Sequence, residues 1–163
     1  MLAAKVGDSA PGFCLKNSNM EVVSLGDFSG KNVVLLFVPF AFSGPCTQEL
    51  CDISAGLNTY EDLGARVLGI SVDPPFSLKA WAEKEGISIP LLSDFNKEVS
   101  AAYGAQYSDF LGFEGVAKRS AFVLDGEGKI RYASVSEDAA VLPDFEAIQG
   151  CLKSLNKTVI SNL

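Results

Sequence analysis

The chain has 163 residues, 48% of them apolar and 20% charged, which suits one folded domain spanning residues 1–163 with a sizeable core. Its formal net charge is -7 and its basic residues are scattered, so nucleic acid and anionic membrane surfaces are not expected as partners. Histidine is absent, which excludes Ser-His-Asp triads, Cys-His nucleophile pairs and histidine-based metal sites within the chain.

The longest apolar run, residues 33–42, is too short to span a bilayer. Met1-Leu2-Ala3-Ala4-Lys5 lacks a charged segment followed by an apolar one, so no leader is expected and a cytoplasmic location is the default. Four cysteines remain: Cys14, Cys46, Cys51 and Cys151. A chain with this much core has no need of a disulfide framework, so they serve either as buried apolar groups or in redox chemistry. Their spacings do not match a zinc framework.

In chain order, Phe13-Cys14-Leu15 and Glu21-Val22-Val23-Ser24-Leu25 flank the turn signal Asn17-Ser18-Asn19 and predict a short antiparallel arm. Residues 32–38 are a continuous apolar run, as expected of a central strand buried on both faces. Leu50, Ile53, Leu57 and Tyr60 recur at helical spacing up to Gly64, which predicts one helix with a glycine cap. Residues 66–72 form a second buried strand, stopped by Asp73-Pro74-Pro75. A helix over about 76–84, a short strand at Pro90-Leu91-Leu92 and a helix over about 97–103 follow. Asp125-Gly126-Glu127-Gly128 is a hairpin turn between Ser120-Ala121-Phe122-Val123-Leu124 and Lys129-Ile130-Arg131-Tyr132-Ala133. A last amphipathic helix over about 144–155 uses Phe145, Ile148, Leu152 and Leu155. This order fits an α/β, thioredoxin-like three-layer fold with a central mixed β-sheet and an N-terminal β extension.

The chemistry-bearing stretch is Pro39-Phe40-Ala41-Phe42-Ser43-Gly44-Pro45-Cys46-Thr47-Gln48-Glu49-Leu50-Cys51, between a buried strand and a helix start. A cysteine in a first helical turn faces unpaired backbone N–H groups and the positive end of the helix dipole. Both favour thiolate, the nucleophilic form. Ser43 is placed to cap the helix or to donate to a bound oxygen, and Pro45 suits the first turn because its missing N–H costs nothing there.

Pro39, Ser43 and Cys46 resemble the peroxiredoxin signature P-x-x-x-[TS]-x-x-C. Further segments carry the resemblance in order along most of the chain. They are Gly7-Asp8-Ser9-Ala10-Pro11-Gly12-Phe13, Ser71-Val72-Asp73, Pro90-Leu91-Leu92-Ser93-Asp94, and Arg119 before Ala121-Phe122-Val123-Leu124-Asp125. The resemblance implies a cofactor-free peroxidase that reduces hydrogen peroxide and organic hydroperoxides. Cys46 would be the peroxidatic cysteine, oxidised to sulfenic acid. Arg119 would stabilise the thiolate and orient the peroxide, Ser43 would bind the peroxide, and Pro39 would shield the thiolate. The implied partners are a thioredoxin-like or other thiol reductant and a second copy in a homodimer, with a monomer as the alternative. Glu49 matches a family position, with a solvated first-turn carboxylate as the equal alternative.

The Cys46–Cys51 spacing resembles the peroxiredoxin Q (bacterioferritin comigratory protein) type, in which the second cysteine closes a disulfide on the first. Residues five apart in an intact helix stand roughly 8–9 Å apart at Cα, beyond the roughly 7 Å a disulfide allows, so the helix would have to unwind. Phe42-Ser43-Gly44, Ser71-Val72-Asp73-Pro74-Pro75, Trp81-Ala82 and Leu91-Leu92-Ser93-Asp94-Phe95 resemble instead the alkyl hydroperoxide reductase E type, which often relies on an external thiol. The other reading of Cys51 is a small apolar group on the helix's inner face. Cys14 and Cys151 are expected to be buried packing residues and Trp81 a core or pocket-edge aromatic. Phe40, Phe42, Phe110 and Phe113 are expected to gather as an apolar rim or a dimer contact. Two other function classes remain open at this point: a disulfide reductase or electron-transfer protein, although C-x-x-C is absent, and a non-catalytic binding or chaperone module.

Overall fold

The computed structural model describes residues 3–161, with side chains to residue 157. Met1 and Leu2, part of the segment read for a leader, lie outside the described residues. Strands β1 (Cys14–Asn17) and β2 (Val22–Ser24) form the expected antiparallel arm, closed where Asn17 Oδ1 accepts from the Asn19 and Glu21 amides. The remaining strands are β3 (Asn32–Phe37), β4 (Ala65–Ser71), β5 (Leu91–Ser93), β6 (Ser120–Leu124) and β7 (Ile130–Val135). Together they make one seven-stranded sheet in the order β2-β1-β5-β4-β3-β6-β7. β3 runs parallel to β4 and antiparallel to β6, so the sheet is mixed.

Strand alternation sorts the apolar residues into two cores, one on each sheet face. Val34, Leu36 and Val38 point into one, with Val67, Ala121 and Val123. Helices α1 (Gly44–Ala55), α2 (Leu57–Asp62), α3 (Pro75–Glu85) and α5 (Phe145–Ser161) cover that face through Leu50, Ile53, Tyr60, Leu78, Trp81, Ile148 and Leu152. Val33, Leu35 and Phe37 point to the other, with Leu68, Ile70 and Phe122, where α4 (Glu98–Ala102) and Tyr103 cover them. Gly69 leaves room for the Leu91 side chain of the neighbouring β5: a Cβ there would stand 2.8 Å from Leu91 Cδ2.

Two helices differ from the sequence reading. The expected single helix to Gly64 divides at Gly56, a poor helix former that leaves the helical region at φ -102° and ψ 16°. The last helix runs past Leu155, because no glycine or proline follows and Asn156 Nδ2 anchors it to the Leu63 carbonyl at 2.7 Å.

Candidate active site

The candidate residues meet at the carboxyl ends of β3 and β4. Phe37, the last residue of β3, pairs with Ser120, so Arg119 lies beside the chain as it leaves the sheet. That chain passes through buried Pro39 to Ser43, the N-cap residue of α1. Cys46 is the third residue of α1, within the turn whose amides lack helical partners, and it has no exposed surface.

Arg119 Nη2 donates to Cys46 Sγ at 3.0 Å. Its Nε donates to the Ala139 carbonyl at 2.7 Å, which fixes the plane of the guanidinium. Its Nη1 faces Glu49 Oε2 at 3.6 Å, with the two side chains 1% and 0% exposed. Glu49 is thus no solvated first-turn carboxylate. Lying three residues after Cys46 on the helix, it shares the inward face. Burial pushes its carboxyl up to about 7, with the charge of Arg119 pulling it back.

Ser43 does not cap α1 with its hydroxyl; Oγ donates to the Phe40 carbonyl at 3.0 Å, and the Ser43 carbonyl accepts from the Thr47 amide. The hydroxyl proton is committed there, so its lone pairs are left to accept from a ligand. Asp73, just beyond β4, accepts from the Ala41 amide at 2.8 Å and from Ser71 Oγ at 2.7 Å. Trp81 is fully buried and donates Nε1 to Thr47 Oγ1 at 3.0 Å, tying α3 to the first turn of α1. Sequence reasoning missed these supports. The Ser71-Val72-Asp73 segment carried a signal for one, whereas the Ala139 contact is a backbone carbonyl with none.

Cys51 lies in the unbroken middle of α1, half-buried, with Sγ donating to the Glu85 carbonyl at 3.4 Å. Burial raises its pKa, reinforced by the charges of Glu85 and Asp52. Cys151 packs against the same core, as expected, but is half-buried rather than buried. Cys14 is exposed rather than buried, because along β1 it alternates with Leu15, which packs on the core, and faces solvent with Lys16. The phenylalanines divide. Phe40 meets Phe110 at 5.8 Å and Phe113 at 5.9 Å, whereas Phe42 turns to Trp81 at 6.3 Å, under Lys84. Among the described residues, no helix is long and apolar enough to cross a membrane.

The family model described as AhpC/TSA family matches residues 6–133. Alkyl hydroperoxide reductase E of Mycobacterium tuberculosis is 41% identical over 139 residues, which cover 83% of this chain and 88% of that protein. The crystal structure of peroxidoxin BcpB from Mycobacterium tuberculosis superposes with a TM-score of 0.82 at 28% identity, covering 93% of this chain and 98% of that one. Peroxiredoxin Q of Xanthomonas campestris gives a TM-score of 0.79 at 25% identity, over 93% and 96% of the two chains.

Proposed function

The chain belongs to the AhpC/TSA family and is a thiol-dependent peroxidase, and on that footing we propose that Cys46 is its peroxidatic cysteine, served by Arg119, Ser43 and Pro39. The carrying observation is the contact of Arg119 Nη2 with Cys46 Sγ at 3.0 Å, both residues buried. A cationic donor held at that place stabilises the negative charge that moves during reaction and costs no reorganisation.

The sulfur attacks the hydroxyl-bearing oxygen of the peroxide. An S–O bond forms, the O–O bond breaks, and Cys46 becomes sulfenic acid while hydroxide or alkoxide leaves and takes a proton from water. Arg119 meets the charge developing on the peroxide oxygens; its Nη1, 3.6 Å from Glu49 Oε2, makes no hydrogen bond among the described residues. Ser43 Oγ accepts from the peroxide O–H, and the Pro39 ring keeps water from the sulfur. Cys46 has no exposed surface, so peroxide reaches it only when neighbouring residues move aside, and the apolar cluster of Phe40, Phe110 and Phe113 supports organic hydroperoxides as substrates.

Reduction then falls to a thiol. The first thiol displaces water from the sulfenic acid to give a mixed disulfide, and a second frees Cys46. An external, thioredoxin-like or small thiol suits the intact α1 better than Cys51, whose Sγ is held by Glu85. The chain acts as one domain in the cytoplasm, and a homodimer is the expected assembly.

Peroxide consumption by variants tests the assignment. Cys46→Ser should consume none, and Arg119→Ala should lose roughly 100-fold or more. A Cys46→Ser protein that retains the wild-type rate would overturn it.

A further inference from the structure

The Ala139 carbonyl that receives Arg119 Nε belongs to a surface turn over residues 136–140, in which Glu137, Asp138 and Ala140 are exposed. Ser136 Oγ donates to the Asp138 carbonyl and the Ala140 amide to Asp138 Oδ1, while the Ser136 amide donates to the Arg119 carbonyl at 2.9 Å and ties the start of the turn to the chain before β6. It is tied to the 105–118 segment by Tyr107, whose hydroxyl donates to the Glu137 carbonyl at 3.1 Å. Lys118 also meets Glu137, at 2.7 Å, but the Glu137 side chain is 79% exposed and such a pair contributes little.

The same tyrosine ring stacks on Phe110 with centroids 4.7 Å apart and planes at 16°. Phe110 packs on Phe40, the residue whose carbonyl receives Ser43 Oγ. The backbone of Tyr107 is itself fixed, its amide bonded to Val116 and its carbonyl to Gly115. One side chain therefore connects through Glu137 to the turn that holds Arg119, and through Phe110 to Phe40, whose carbonyl accepts from Ser43.

We propose that Tyr107 is a positioning residue for peroxide reduction: through the Glu137 carbonyl it holds the turn whose Ala139 carbonyl fixes Arg119 beside Cys46. This rests on the assignment of Arg119 to Cys46 made above. Without the hydroxyl the start of the turn is still held by the Ser136 amide, but the Glu137 carbonyl is released, so the Ala139 end shifts and the acceptor that sets the guanidinium plane is displaced.

A double-mutant cycle with Arg119 tests it, because a merely structural tyrosine would act independently of that residue. Tyr107→Phe keeps the ring and its stacking and loses the hydroxyl alone. The rate constant for hydrogen peroxide should fall roughly five-fold, the effect of one neutral hydrogen bond. In an Arg119→Ala background the same change should have no effect, while the shift in thermal midpoint is equal in both backgrounds. An unchanged rate in the single variant, or an equal loss in both backgrounds, would overturn the proposal. Arg119→Ala running at the wild-type rate would instead overturn the assignment beneath it.

Discussion

Arg119 Nη1 and Glu49 Oε2 stand 3.6 Å apart, with neither side chain in contact with solvent. At that separation they form an ion pair rather than a hydrogen bond, and both carboxyl oxygens of Glu49 lack hydrogen-bond partners. The guanidinium thus faces a thiol on one side and a carboxyl on the other. Burial holds the Glu49 proton up to about 7, against the pull of the Arg119 charge.

A stability consequence follows from this pair. Unfolded, the Glu49 carboxyl titrates near 4.5, and folded near 7, so between those values the folded chain binds the proton more tightly. Its contribution to stability is complete below pH 4.5 and is lost as pH rises through 7. Glu49→Gln should gain stability relative to wild type across that window. Urea unfolding at about pH 5 and pH 8 measures it, and a difference that does not change with pH would contradict the assignment.

Asp73 holds the segment leading to Cys46 through the Ala41 amide and Ser71. Hydrogen bonds to a charged group contribute about 1.5–3 kcal/mol. Asp73→Ala should therefore lower stability by roughly 2 kcal/mol and slow peroxide reduction, with Asp73→Asn recovering part of both. An unaltered rate would show that the 39–43 segment keeps its shape without this carboxylate.

Cys51→Ser should leave turnover with an excess of a small thiol within about two-fold of wild type, since the helix separates residues 46 and 51 by more than a disulfide spans. A ten-fold loss would mean that α1 unwinds in each cycle and that Cys51 resolves Cys46.

Much of the fold was legible because strand alternation and turn chemistry are local. Val33 to Phe37, the Asn17 turn and the Asp125–Gly128 hairpin were read within their own segments. The positions of Cys46 and Ser43 were legible from spacing at a helix start, and Pro39 and Arg119 were pointed to by resemblance. The environment of Glu49 was not, because its burial depends on a residue seventy positions away in sequence that the β3–β6 register brings beside it. Ala139 acts through a carbonyl that any residue would supply. Cys14 was misjudged because apolar character does not say which side of β1 faces the core, and there it is Leu15 that packs inward.

The most direct measurement is peptide mass spectrometry after one equivalent of hydrogen peroxide, with a sulfenic-acid trap present. The account predicts the trapped adduct on Cys46 and unmodified Cys14, Cys51 and Cys151. An adduct on another cysteine, with Cys46 still a free thiol, would contradict it.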